Sequence, residues 1–341
     1  MHDGHAARRV VDIITGSWQA QALYAAVALN LPDHIAAGQR TDASLAAATG
    51  SDPDAITRLM RLLLAMNVFE QAPDNGYQTT SVSELLRSDT EVSMRDMIEL
   101  YGEEFHRAWG AIVPAVRTGT SGFEQAFGTS LHAYLAHVPG AGPRFLRAMN
   151  AGNVFFPDVL TAYDFSGGHT VVDVAGGSGR LLSVILQAHP HLHGVLFDQP
   201  HMIPEARAHL DGAVGRDRYD AVAGDIFVAV PQDADVYLLS RILQDWDDDR
   251  SVALLSNIRK ALPENGRLLI LERVIPEDGS EMLPLLYDLH LLMAAGGRGR
   301  SLQGYCDILA AAGLHLESVH TLALETRLLV VAPAAAPMTH E

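Results

Sequence analysis

Val171-Val172-Asp173-Val174-Ala175-Gly176-Gly177-Ser178-Gly179-Arg180, followed by Val195-Leu196-Phe197-Asp198, decides the reading of this chain. An apolar run that stops at glycines predicts a strand, a sharp turn and a helix, then a second strand ending in a carboxylate. Glycines let the backbone turn and let a ligand approach main-chain N–H groups that side chains would cover. A carboxylate at the end of the second strand is placed to accept hydrogen bonds from ribose hydroxyls. The stretch therefore points to a nucleoside-bearing ligand, against the plainer reading of a tight turn that binds nothing.

The nicotinamide pattern G-x-G-x-x-G needs, after Gly177 and Gly179, a small residue where Leu182 stands, because the helix must pack closely on the strand. That match fails. Asp173, inside the first strand, suits a ligand with positive charge better than a pyrophosphate. S-adenosylmethionine (SAM), with an ammonium and a sulfonium, is the expected cofactor.

The chain has 341 residues, is 48% hydrophobic and carries a formal charge of −17. That length is enough for two domains. The negative charge argues against a nucleic-acid surface, which needs clustered Lys and Arg. One cysteine, Cys306, excludes an internal disulfide and suits a reducing cytoplasm. Arg8 and Arg9 precede Val10 and Val11, but Asp12 interrupts the apolar run, so no signal peptide is expected. No stretch reaches the length of a membrane span.

The first 165 residues or so read as helical and the remainder alternates strand and helix, so the fold class is α/β with a doubly wound sheet. The expected division is a helical domain at 1–100, linker helices contributing to an acceptor pocket at 101–165, and a Rossmann-like cofactor domain at 166–335. Within the first, Thr41-Asp42 and Asp52-Pro53 open two helices, and Phe69 to Gln78 forms a hairpin turning at Asn75-Gly76. This is a winged-helix arrangement. Only Arg58 and Arg61 offset Asp52 and Asp54, so packing or dimerisation is expected rather than DNA binding. Strands are expected at 170–175, 194–198, 218–223, 235–240, 267–273, 314–321 and 325–332, five parallel and the last two an antiparallel pair. Ligands bind outside the carboxyl ends of such strands, where Ala175, Asp198, Asp225, Ser240 and Glu272 fall.

With Tyr101 to Trp109, Gly224-Asp225-Ile226-Phe227, Leu239 to Asp248 and Gly296 to Ser301 added to the glycine loop, the chain resembles, over nearly its full length, the SAM-dependent O-methyltransferases of the plant caffeate and isoflavone type. It is most similar to their bacterial antibiotic-tailoring branch. The resemblance implies an N-terminal winged-helix-like dimerisation domain, a homodimer, and a small aromatic or polyketide-type acceptor. It implies that Asp198 holds the ribose and that Asp225 and Ile226 flank the adenine. The backbone at Ala175 and Gly177, with Ser240 or Arg241, would meet the methionine end, and Trp246 would pack nearby. Met149, Asn153 and Met293 fall where the family lines its acceptor pocket.

The family's general base is a His immediately before Asp-Trp, and here that residue is Gln244. An amide does not accept a proton at neutral pH. Of the two carboxylates that steer the His in the family, one matches Glu272 and the other is replaced by Gly299. Catalysis by positioning is then the leading expectation, since holding a nucleophile in line at about 3–3.5 Å supplies roughly 7–11 kcal/mol. The loss of a base costs about 10²–10⁴-fold. His290 is a candidate substitute base. O-methylation leads. The alternatives are methylation of an activated aromatic carbon, or a SAM-bound enzyme that performs hydroxylation, decarboxylation or rearrangement. No metal site is expected: His189, His191 and His193 lie in a turn, and the Glu-x-x-His spacings at Glu103 and Glu317 lie in different kinds of element.

Overall fold

A computed structural model describes residues 4–90 and 92–334, which fall into two compact units. One runs to Trp109 and takes in Ala133–Gly152; the other comprises Gly110–His132 and the chain from Asn153 onward. The segment 101–165 is thus divided between the two units, because 133–152 packs with the helical part.

In the helical unit, Thr41 caps helix Asp42–Thr49 by accepting the Ser44 N–H, and Gly50 ends it with φ 65°. Asp52 caps Pro53–Ala65 through the Ala55 N–H at 2.9 Å. Pro53 fits that first turn because its missing N–H has no partner there in any case. Ile56, Met60 and Leu63 recur on one face and pack with Val27, Leu31, Ile35, Leu45 and Phe69. Strands β1 (Phe69–Gln71) and β2 (Tyr77–Thr79) pair antiparallel. Asn75 takes the left-handed conformation at the turn, and Arg40 holds both Asp74 and the Tyr77 carbonyl. The helix, helix, hairpin order is as expected. Helix Ala141–Ala151 is tied in by Arg144 to Glu103 and Glu104 and by Arg147 to Asp96, at 2.8–3.1 Å.

The second unit is built on a sheet of seven strands: β3 (Thr170–Val174), β4 (His193–Asp198), β5 (Tyr219–Ala223), β6 (Val236–Ser240) and β7 (Arg267–Glu272), then β10 (Leu314–Leu322) and β11 (Thr326–Pro333). A separate parallel pair, β8 (Val274–Ile275) and β9 (Arg300–Ser301), was not expected. The order across the sheet is β10-β11-β7-β6-β3-β4-β5, with β3 to β7 parallel and β11 antiparallel to both its neighbours. The chain leaves β3 in one direction for β4 and β5 and returns on its other side for β6 and β7. That reversal opens a crevice at the carboxyl ends of β3 and β6.

Side chains of the central strands alternate between two apolar layers. Val172, Val174, Tyr237 and Leu239 pack with Leu254, Ile258, Tyr305 and Ile308; Val171, Val236 and Leu238 pack with Leu181, Ile185, Phe156 and Val159. Each of these buried side chains is worth about 1.5–3 kcal/mol relative to exposure. By the same alternation Asp173 shares the face of Val171, and it is buried. A carboxylate in that layer demands an explanation, and it lies at the strand's carboxyl end.

Candidate functional site

Three loops at the carboxyl ends of β3, β4 and β5 are stitched together by backbone hydrogen bonds. The Ala175 N–H donates to the Phe197 carbonyl at 2.8 Å, and the Gly224 N–H donates to the Asp198 carbonyl at 2.9 Å. Asp198 accepts from the Gly177 N–H at 2.8 Å and from the Gln199 N–H at 2.6 Å. Ala175, Gly177 and Gly179 all have positive φ, at 56°, 59° and 75°. For alanine that conformation costs about 1–2 kcal/mol. Side chains at the glycines are excluded by packing: a Cβ on Gly176 would lie 2.6 Å from the Asp173 carboxyl, and one on Gly224 2.4 Å from the Phe197 ring.

Among the described residues this wall leaves polar atoms without partners: Asp173 Oδ2 and Ser240 Oγ are buried and make no hydrogen bond. Burial, then the neighbouring Asp198, pushes the Asp173 carboxyl up to about 7, and burial raises Asp198 as well. Two desolvated carboxyls side by side suit a cation with N–H donors, which is the chemistry of the methionine end of SAM. On the neighbouring loop Asp225 accepts the Phe227 N–H at 2.8 Å, and Asn257 holds the Ile226 carbonyl at 3.1 Å. Trp246 packs edge-on against Phe227 at 4.9 Å, with the Arg250 guanidinium over both rings. Hydrogen bonds thus join the loops that carry Ala175, Gly177, Asp198 and Gly224-Asp225, and the buried acceptors among them are of a kind that suits a cationic ligand with N–H donors.

The turn that carries Gln244, the short helix Leu243–Asp245, lies beside this crevice, after β6. Its backbone is held from three directions. Glu272 accepts the Leu243 N–H at 3.0 Å, and the Arg298 N–H donates to the Gln244 carbonyl at 2.9 Å. Arg300 donates to the Leu243 and Trp246 carbonyls, both at 2.7 Å, and also to Ser251 and Asp248. Arg300 is only 5% exposed, so it pins the turn with a guanidinium whose own charge Asp248 balances. Sequence reading assigned it no role because its partners lie some fifty positions away. Gly299 is close-packed for the same reason: its N–H donates to Asp288 at 2.7 Å, and a Cβ there would meet Ile275 at 3.1 Å.

Glu272 is buried at the end of β7. Burial, then Asp245, pushes its carboxyl up to about 8, so it is a neutral acid at neutral pH. Its Oε2 has no hydrogen-bond partner. Asp245 keeps solvent contact, yet desolvation by the protein around it lifts its carboxyl to about 6, with Arg241 opposing. Burial pushes His290 down to about 4, leaving a neutral imidazole that is a weaker proton acceptor than free histidine. Met293 is fully buried on the same helix, Met282–Ala294. Asn153 has a buried Oδ1 without a partner, and Met149 lies half-buried in the helical unit.

Comparison with known proteins agrees with this geometry. Residues 109–315 match the model of the O-methyltransferase domain and residues 11–89 that of the O-methyltransferase dimerisation domain. The chain is 43% identical over 329 residues to phenazine-1-carboxylate N-methyltransferase of Pseudomonas aeruginosa, covering 96% of this chain and 98% of that protein. It is 43% identical over 326 residues to 3-amino-4-hydroxybenzoate 4-O-methyltransferase of Streptomyces cremeus, covering 95% and 89%. The S-adenosylhomocysteine-bound structure of CalO1, a methyltransferase of calicheamicin biosynthesis, superposes with a TM-score of 0.88 at 33% identity, covering 98% of this chain and all of that one.

The buried Glu272 carboxyl has a signature in stability. An acid with a raised folded-state pKa binds its proton more tightly when folded, so stability falls as pH rises from the unfolded value to the folded one. Relative to wild type, Glu272→Gln gains on the order of 1.4 kcal/mol per pH unit between about pH 4.5 and about pH 8, and levels off above. Urea denaturation of both proteins across that range checks it; parallel curves would mean that Glu272 ionises normally.

Proposed function

The chain belongs to the O-methyltransferase family and is a SAM-dependent methyltransferase, and from that premise we propose that it methylates a heteroatom, foremost a phenolic oxygen, of an aromatic acid in secondary metabolism. The observation that carries the reading is the pair of desolvated carboxyls, Asp173 and Asp198, beside the unpartnered Ser240 Oγ at the crevice where the sheet reverses. When bound, SAM supplies a methyl group on a positively charged sulfur. Asp173, the Ala175 and Gly177 backbone, and Ser240 with Arg241 would hold its methionine end; Asp198 would take the ribose. Asp225 and Ile226 would flank the adenine, with Trp246 packed against Phe227 nearby.

In this reading the acceptor is held by position, with Asn153 and Met293 of this unit as wall candidates. Gln244 orients the acceptor by hydrogen bonding and takes no proton. Glu272 supports the turn beneath Gln244 as a neutral acid. His290, neutral and buried, contributes packing and a hydrogen-bonding edge rather than a charge. The names of the two relatives above both describe aromatic carboxylates, methylated on nitrogen in one and on oxygen in the other.

We also propose a homodimer. Among the described residues, helix Gly4–Ala28 buries only Ala22, Ala26 and Val27, while Val10, Val11, Ile14 and Trp18, spaced along one stripe, are 52–64% exposed. Such a stripe on a segment that matches a dimerisation domain is suited to a second copy of the chain. The pairing of Arg58 with Asp54 at 2.6 Å, which takes up one of the two arginines of that helix, supports packing over DNA binding as the use of the winged-helix arrangement. Among the described residues no helix is long and apolar enough to cross a membrane, and the reading places the enzyme in the cytoplasm.

Three measurements test these statements. Purified protein with SAM and a panel including 3-amino-4-hydroxybenzoate and phenazine-1-carboxylate should release S-adenosylhomocysteine and give an O- or N-methyl product; a ring-carbon methyl, or a changed acceptor without S-adenosylhomocysteine, would replace the proposal. Titration calorimetry should show SAM affinity falling by up to about tenfold per pH unit as pH drops below about 7, since protonating Asp173 removes the charge that meets the cation; Asp173→Asn should bind weakly and lose that dependence. Light scattering should give a dimer for the wild type and a monomer for Ile14→Asp/Trp18→Asp, and a monomeric wild type would end the dimer reading.

A further inference from the structure

We propose that Asp245 is the catalytic base that receives the acceptor's proton in this enzyme. The inference rests on the reading that the chain methylates an O–H or N–H acceptor, because only such acceptors have a proton to lose at the reacting atom.

Elimination among the groups of this unit leads to it. Gln244, in the position of the usual base, has no basic lone pair. Glu272 is buried, spends Oε1 on the Leu243 N–H, and already holds a proton at neutral pH. His290 is buried and its ring is poorly basic. Asp245 differs from all three. It follows Gln244 in the same short helix, is exposed to solvent, and among the described residues its carboxylate has no hydrogen-bond or ion-pair partner. The backbone beneath it is nevertheless rigid, because Glu272, Arg300 and the Arg298 N–H hold residues 243, 244 and 246. An unpartnered carboxylate on a pinned turn is placed like a base and not like a structural ion. The turn needs none of its oxygens.

The charges around it suit the task. Arg241 at the end of β6 favours the ionised form of Asp245, and the Asp245 charge in turn helps to hold the proton on Glu272 at the end of β7. From the opposite side the 298–300 segment brings Arg298 and Arg300, but Asp248 pairs with both at 2.5 and 2.9 Å, so their charge is largely spent. Tyr305, behind Glu272, is held neutral by burial. With SAM bound, a carboxylate oxygen of Asp245 would take the proton while the O–H or N–H pair stays on the acceptor atom; a lone pair of that atom would form the bond to the methyl carbon, and the carbon–sulfur pair would return to sulfur, leaving S-adenosylhomocysteine. Asp245 becomes a carboxylic acid and passes the proton to water, to which it is open.

The test uses the full-length enzyme and Asp245→Asn, which keeps the shape of the side chain. With 3-amino-4-hydroxybenzoate as probe, the variant should lose about 10²–10⁴-fold in kcat, with KM and SAM affinity unchanged, and the acid limb of the wild-type pH profile near 6 should disappear. Asp245→Glu should recover part of the rate. Phenols acidic enough to be ionised beforehand should show little difference between the two enzymes. Equal kcat for the variant and the wild type on a weakly acidic phenol overturns the proposal while leaving methyl transfer standing. A wild type that releases no S-adenosylhomocysteine with any acceptor is the failure of the underlying reading instead. Independently of turnover, carbon-13 NMR of aspartate-labelled protein should show one carboxyl, absent from Asp245→Asn, that titrates above the usual aspartate range. Titration of that carboxyl in the usual range also overturns the role.

Discussion

The constraint on which this site depends is the burial of one carboxyl, Asp173, in an otherwise apolar strand at the centre of the sheet. The apolar layer around it offers Oδ2 no hydrogen bond, so the folded chain carries a group that water would solvate better. That cost makes sense only where a partner arrives from outside. The glycines at 176 and 179 and the left-handed Ala175 place the backbone around that carboxyl, and the sheet's reversal at β3 leaves the space above it open. Ala175 shows the constraint most clearly. A residue that pays for positive φ is tolerated because its N–H must reach the Phe197 carbonyl to bind the two loops together.

Much of this was legible in the sequence because the deciding interactions are local. Strands β4, β6 and β7 end in an acid or a serine and β3 and β5 run up to the glycines just beyond them, and the observed strands β3 to β7, β10 and β11 fall within a residue or two of the expected ones. The capping residues Thr41, Asp52 and Asp247 also act on N–H groups within three positions. Arg300 and Asp288 were not legible. What they do is decided by backbone atoms that the chain brings back from far away, and an arginine before a serine carries no mark of it. The division of 101–165 escaped for a related reason. Helix Ala141–Ala151 joins the helical unit through Arg144 and Arg147, and an exposed arginine would have looked the same in the sequence.

Asp245 was hidden in plain view. It begins a run with Asp247, Asp248 and Asp249, which reads as the acidic first turn of a helix. The structure separates the four: Asp247 caps the helix through the Arg250 N–H, Asp248 neutralises Arg298 and Arg300, and Asp249 is exposed. Asp245 alone precedes the cap, on the turn that faces Glu272.

The exchange of the usual histidine for Gln244 accounts for the electrostatics that remain. A histidinium between Glu272 and Asp245 would stabilise both carboxylates and draw their pKa values down. Without it, desolvation is opposed only by two backbone N–H groups and Arg241, and both acids rise. The buried one rises further and keeps its proton, which leaves a single negative charge in the pair instead of two. That charge resides on the member open to water, where a proton can be taken up and released without unfolding anything. Removing the histidine thus does not empty the site of basicity; it transfers the basicity to the next residue in the chain, at the cost of a weaker base than imidazole would be there. An acceptor whose O–H is already acidic needs no more than that.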